Sequence, residues 1–148
     1  MPDTLLDVVR QIFQAAPFIA TLGVELESVT RGQCRTSLRL RPDHLQQTGV
    51  VHAGVIASIA DHTAGGAAGS VLKQGSHPLT VEFKINFLRA ASGDRLTCTS
   101  RVLKAGRTLI IAESEVFTGV GAKLVLVAKA MVTLAVLTRD EDEGTGAA

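Results

Sequence analysis

Within 148 residues, one carboxylate stands apart from the others. Asp61 falls in the run from Ala53 to Leu72, where almost every neighbour is apolar or tiny. Read as a helix opening near Ala53, this run sets Gly54, Ser58, Asp61 and Gly65 three and four residues apart, so that they share one face. A face of Gly and Ser fills a core poorly and lets a backbone or a ligand come close to the helix axis. A carboxylate held there is poorly solvated, which disfavours its charged form and makes it a better base toward water. The first N–H groups of the same helix, on Ala53 and Gly54, lack intrahelical partners and point outward with the positive end of the helix dipole. Donors of this kind hold the negative charge that grows on a carbonyl oxygen under attack. Base and donors together describe the addition of water to a carbonyl, with Asp61 two turns along from Ala53.

Simpler readings stand beside this one. A mid-helix Asp is ordinarily solvated, and only the apolar and tiny neighbours of Asp61 argue otherwise. His52 either caps the helix through a hydrogen bond or touches a substrate. Thr80 is by default a strand former, and Lys104 and Arg107, which flank a turn glycine, would ordinarily face solvent.

The elements that hold these residues follow from periodicity. Val55, Ile56, Ile59 and Leu72 give the central helix enough apolar surface to seat on a sheet. Thr4 to Ala16 reads as a helix, with Thr4 and Asp7 forming a capping box and Pro17 ending or bending it. Phe18 to Leu22 prolongs an apolar contact, and Gly23 opens a strand through Thr30. Arg31-Gly32 turns that strand into a second one, Gln33 to Leu40, whose alternation marks a single covered face. Leu79 to Ala90, Arg95 to Leu103, Thr108 to Phe117 and Ala122 to Leu137 read as further strands, long enough to imply strong curvature. The fold class is therefore α+β: a curved antiparallel sheet of about six strands wrapped around one long central helix, with a short N-terminal helix. Residues 1–138 form a single domain, and 139–148 an acidic, Gly/Ala-rich tail expected to be disordered. A single sheet of this kind leaves edges open, and the economical cover is a homodimer whose two sheets run on as one, with the Asp61 face toward the subunit boundary.

Composition narrows the possibilities. Aromatic residues make up 3% of the chain, there is no Trp or Tyr, and the formal net charge is +1, so base stacking and phosphate tracking on nucleic acid are not expected. No apolar stretch reaches the roughly 18 residues of a membrane span. Met1-Pro2-Asp3 lacks the basic start of a secretory signal, which points to a cytoplasmic protein. Cys34 and Cys98 are isolated in strand-like runs and read as small buried hydrophobes without a disulfide. His52 and His62 are joined by no further ligands at metal-binding spacing, so neither metal nor cofactor is expected.

One stretch is also familiar as a motif. Gly49, His52-Ala53-Gly54 and then Asp61 resemble the hotdog-fold acyl-CoA thioesterases of the phenylacetate-pathway type, which carry Asn-x-x-Gly-x-x-His-Gly-Gly and an acidic residue one helical stretch on. The stretches Leu79 to Ala90 and Leu103 to Leu109 extend the likeness, which runs from the N-terminal helix to Leu137. Gln46 stands where the family has Asn, and Ala53 where it has the first Gly. The resemblance implies a thioesterase that converts an acyl- or aryl-CoA to free acid and coenzyme A. Asp61 would be its general base or nucleophile, the Ala53 and Gly54 N–H groups its oxyanion donors, and His52 would shape the loop or contact the substrate. Gln46 would supply a positioning amide. Thr80, contributed by the partner subunit, would hold the attacking water. Phe87 and the segment Lys104, Ala105, Gly106, Arg107, Thr108 and Leu109 would meet the coenzyme A portion. The resemblance further implies a homodimer with its site at the subunit boundary, assembled as a dimer of dimers. Two rivals remain: a hydratase or dehydratase of the same fold, and a non-catalytic acyl-CoA or acyl-carrier binding module.

Overall fold

A computed structural model of the chain describes residues 4–119 and 121–138, so the expected acidic tail from Arg139 onward lies outside the described residues. Two short helices come first, α1 (Leu5–Ala15) and α2 (Pro17–Leu22), then the hairpin β1 (Val24–Thr30) and β2 (Gln33–Arg39). The central helix α3 (Ala53–Gly69) follows, and then β3 (Ser76–Phe87), β4 (Arg95–Ala105), β5 (Leu109–Thr118) and β6 (Val125–Thr138). All six strands pair antiparallel in the order β1-β2-β4-β5-β6-β3, which leaves β1 and β3 at the edges. The sheet curves around α3, which packs against every strand. This is the hotdog architecture expected from the sequence.

Local chemistry explains the boundaries. The Thr4 hydroxyl accepts the Asp7 N–H and the Asp7 carboxylate accepts the Thr4 N–H, closing the capping box of α1. Val9 and Phe13 turn inward from it. The segment from Phe18 to Leu22 proves to be helical: Pro17 occupies its first turn, and Gly23, at φ +88°, caps its end instead of opening β1. β3 stops at Phe87 rather than Ala90 because the Leu88 and Arg89 N–H groups both turn to the Val127 carbonyl. β6 starts three residues later than the alternation predicted, after a 3₁₀ turn over Gly121–Lys123.

The core lies between α3 and the concave face of the sheet. Ile59, Ala60, Ala64 and Ala68 have no exposed surface and share one cluster with Leu96, Ile110, Val116, Val132 and Leu134, while Ala67, equally buried, packs with Val9, Val29 and Cys34. Gly54, Ser58, Asp61 and Gly65 lie on the one side of α3 that stays partly open. The two central glycines differ in kind. A Cβ on Gly66 would stand 2.7 Å from Cys34 Sγ, so this glycine lets α3 approach β2, whereas a Cβ on Gly65 would meet nothing within 4 Å. Among the described residues, no helix is long and apolar enough to cross a membrane.

Both cysteines are free and buried, and burial pushes the Cys98 thiol up to about 11 and the Cys34 thiol to about 12. A thiol that holds its proton at neutral pH is a poor nucleophile. The native protein is therefore expected to consume no aromatic disulfide reagent at pH 8 and two equivalents once denatured, read as released thiolate. Gly66→Ala should lower stability by about 1–2 kcal/mol through overpacking against Cys34, measured by urea unfolding.

Candidate functional site

The start of α3 is held by a loop bonded mostly to itself, with one bond across the fold, from the Val51 N–H to the Ala91 carbonyl at 2.9 Å. The Gln46 N–H donates to the Val50 carbonyl at 2.8 Å, and the Gly49 N–H to the Gln46 carbonyl at 2.9 Å. Gly49 sits at φ +85°, a backbone that a side chain would strain. Behind the loop lies His44, 1% exposed. Its Nδ1 accepts the Arg41 N–H at 3.0 Å, which leaves the ring proton on Nε2 to donate to the Leu22 carbonyl at 2.9 Å. The His44 carbonyl in turn accepts the His52 N–H, so this unassigned histidine fixes the residue that precedes the helix.

His52 is the N-cap of α3. Its Nδ1 accepts the Gly54 N–H at 2.8 Å, which is the capping alternative weighed from the sequence. The expectation that Gly54 offers an oxyanion donor is thereby corrected, because its N–H is already taken. Among the described residues, Ala53 carries the first uncommitted N–H of the helix.

Asp61 lies two turns further on, half-buried. Burial pushes its carboxyl above the usual carboxylate range, opposed by a hydrogen bond from the Thr80 hydroxyl to Oδ1 at 2.7 Å. That bond lies within one chain. Thr80 was expected from a partner subunit, but β3 runs beside its own α3 and brings Thr80 to Asp61 directly. A second correction follows from helix geometry. The eight residues from Ala53 to Asp61 span about 12 Å along the axis, too far for one chain's N–H and carboxylate to touch the same carbonyl.

The remaining expected residues divide between these two ends. A groove of about 370 Å³ opens at the start of α3, lined by Gln46, Ala53, Ile56, Phe87, Leu88 and Arg89 among others. The Gln46 amide nitrogen donates to the Thr48 hydroxyl at 2.6 Å, so its carboxamide lies along its own loop. Leu88 and Arg89 were not singled out from the sequence. The signal was the end of a long strand that must pass over the helix start, visible only once β3 is placed. At the other end Lys104 and Ala105 close β4, Gly106, Arg107 and Thr108 make the turn, and Leu109 opens β5. The Gly106 N–H donates to the Leu109 carbonyl, and a Cβ on Gly106 would stand 2.6 Å from that oxygen. Ile110 pairs with Leu134, which pairs with Thr80, so this turn stands about 10 Å across two strand spacings from Thr80. Lys104 and Arg107 are exposed there.

Residues 48–125 match the family model described as thioesterase superfamily, a span that holds Ala53, Asp61, Thr80 and the 104–109 turn. The chain is 33% identical to a thioesterase family protein from Silicibacter pomeroyi, whose crystal structure superposes with a TM-score of 0.85 over 88% of this chain and 96% of that one. It is 30% identical over 114 residues to the medium/long-chain acyl-CoA thioesterase YigI of Escherichia coli (strain K12), covering 67% of this chain and 74% of that protein. Thioesterase superfamily member 2 of zebra fish is 27% identical, with a TM-score of 0.78 over 90% of this chain and 99% of the other.

The Thr80 bond makes a measurable claim about Asp61. Thr80→Val keeps the shape and removes the donor that holds the carboxyl down, so the Asp61 titration midpoint should move further up. Carboxyl ¹³C NMR follows it directly. An unmoved midpoint would mean that the bond is not formed in solution.

Proposed function

Because the chain belongs to the thioesterase superfamily, we propose that it hydrolyses the thioester of an acyl- or aryl-coenzyme A to the free acid and coenzyme A, as a cytoplasmic enzyme of the phenylacetate-pathway type. The observation that carries this reading is the half-buried Asp61 carboxylate, held at one oxygen by Thr80 on a face of small side chains. Oδ1 is occupied by the Thr80 hydroxyl, which leaves Oδ2 to take a proton from water as general base. The water oxygen adds to the thioester carbon, and the carbonyl oxygen takes up the negative charge against the Ala53 N–H. Collapse breaks the carbon–sulfur bond, and the departing thiolate takes the proton held by Asp61.

The 12 Å between Ala53 and Asp61 supports a site made by two chains: Asp61 and Thr80 from one, and Ala53, His52, Gln46 and the groove from the other. The open edge of β3 supports the same assembly. Leu79, Val81, Phe83 and Phe87 are 40–54% exposed along it, apolar surface that a second β3 would cover while extending the sheet. Because Nδ1 is taken by the cap, the neutral His52 ring carries its proton on Nε2, a second donor to the substrate beside the Ala53 N–H. Lys104 and Arg107 meet the phosphates of coenzyme A, with Ala105, Gly106, Thr108 and Leu109 as the backbone they are mounted on and Phe87 against the less polar part of the substrate.

Thiol release from a panel of short, medium, long and aryl acyl-CoAs tests the reaction. Asp61→Asn should lose about 100-fold or more, the contribution of a positioned base; a parent inert on the whole panel, or an undiminished variant, would sink the proposal. A second pair of variants tests the assembly. Ala53→Pro removes the N–H at the first helical position, where proline is tolerated, and His52 already has an extended backbone. It should cost about 100-fold or more as a lost oxyanion donor. Mixed dimers of Asp61→Asn and Ala53→Pro chains carry one intact site of two, and random re-pairing of equal amounts makes about half of the dimers mixed, so roughly a quarter of the parent activity should return on mixing. No recovery in proven mixed dimers would overturn the two-chain site.

A further inference from the structure

Four hydroxyls lie in the middle of an otherwise apolar core. Thr36, Thr63, Ser100 and Ser114 are 0%, 0%, 4% and 0% exposed. Each has a single proton, which fixes the direction of its bonds. Thr63 Oγ1 donates to the Ile59 carbonyl at 2.6 Å, so in its 2.7 Å contact with Thr36 it is Thr36 that donates. Ser114 Oγ donates to the Ala60 carbonyl at 2.7 Å, so Ser100 donates to Ser114. Two parallel relays therefore run from the sheet into α3: β2 through Thr36 and Thr63 to Ile59, and β4 through Ser100 and β5 through Ser114 to Ala60. They end on the two consecutive carbonyls that immediately precede Asp61.

Burying a hydroxyl is unfavourable unless it is bonded, and valine or alanine would fill these places without that burden. What the hydroxyls add is direction. The surface that α3 turns to the sheet carries bulk at Val55, Ile56 and Ile59 in its first half, but beyond Asp61 it consists of Thr63, Ala64, Gly66, Ala67 and Ala68, with no large side chain. Apolar contact is proportional to area and indifferent to direction, so it seats such a helix without fixing its rotation or its position along its axis. The two hydrogen bonds that cross from sheet to helix, Thr36 to the Thr63 hydroxyl and Ser114 to the Ala60 carbonyl, fix both, since they weaken within a few tenths of an ångström and a few tens of degrees, while the bond from Thr63 to the Ile59 carbonyl within α3 holds the Thr63 side chain in place.

We propose that Thr63 and Ser114, backed by Thr36 and Ser100, are positioning residues that lock α3 in register on the sheet and so hold Asp61 against Thr80. None of the four touches the substrate. The inference rests on the proposed function only for its catalytic consequence.

Thr63 offers a matched pair of variants. Thr63→Val keeps the shape and removes the relay, whereas Thr63→Ser keeps the hydroxyl and removes a methyl. With the acyl-CoA that the parent hydrolyses best, kcat of Thr63→Val is expected to fall tenfold or more at a KM within twofold of the parent, and Thr63→Ser to keep at least half of the parent kcat. The reverse order would show that the methyl's packing is what counts and would overturn the inference. If Thr63→Val does not fold, Ser114→Ala takes its place with the same split expected, and an unchanged kcat there overturns it equally. Amide hydrogen exchange at residues 61–65 needs no substrate. It should quicken about tenfold in Thr63→Val and match the parent in Thr63→Ser; equal exchange in all three would overturn the register lock. Should the parent release no thiol from any acyl-CoA, the functional reading fails, while the exchange comparison still decides the relay.

Discussion

The structure depends on burying a helix that has almost no side-chain bulk. α3 crosses the concave face of the sheet at a distance set by Gly66, where the backbone comes so near β2 that even a methyl group would meet Cys34 Sγ at 2.7 Å. Close approach lets a six-stranded sheet wrap one helix, because alanine and glycine on α3 are matched by leucine, isoleucine and valine on the strands. It also leaves the helix's far side thin. Asp61 sits on that thin side, shielded enough for burial to raise its pKa yet open enough to be reached. Packing and reactivity thus follow from the same scarcity of side-chain atoms.

From that constraint the division of the site follows. A straight helix carries its N-terminal donors and a carboxylate eight residues later on one rod, and the rod's rise keeps them about 12 Å apart. No rotamer closes that distance. The described chain accordingly presents two separate clusters, one around Ala53 and the Phe87 groove, the other around Asp61 and Thr80 with the 104–109 turn about two strand spacings away, which the proposed two-chain site brings together. Each is internally well bonded, and each ends at the exposed flank of β3.

Much of this could be read from the sequence because it is local. The 53–72 run gave the helix, its open face and Asp61; alternation gave the hairpin and the long strands; Thr4 and Asp7 gave the cap of α1. What escaped depends on contacts far apart in sequence. That Thr80 meets Asp61 in the same chain follows from β3 lying beside α3 at the sheet edge, a topological fact that spacing does not encode. The loss of the Gly54 donor is subtler, since it turns on which way one imidazole faces. Leu88 and Arg89 join the groove only because the chain leaves the ladder at Phe87 and turns toward Val127. The second helix was missed for a different reason: with six residues it is too short for periodicity to register, and Pro17 marks a start as readily as a stop.

The two departures from the resembled motif also acquire a physical meaning. Glycine is required where the backbone takes a positive φ or where a Cβ would collide, and among the described residues no residue other than glycine has a positive φ. Ala53 is the first residue of an ordinary α-helix, so its methyl costs nothing in backbone strain and its N–H keeps the direction that a glycine would give it. Gln46 differs in reach. Its extra methylene lets the amide nitrogen fold onto Thr48, two residues along, which takes one of its donors out of the groove and leaves the amide oxygen as the group turned away from that bond. In the proposed site, the loop therefore offers a substrate one amide donor fewer than an uncommitted carboxamide would.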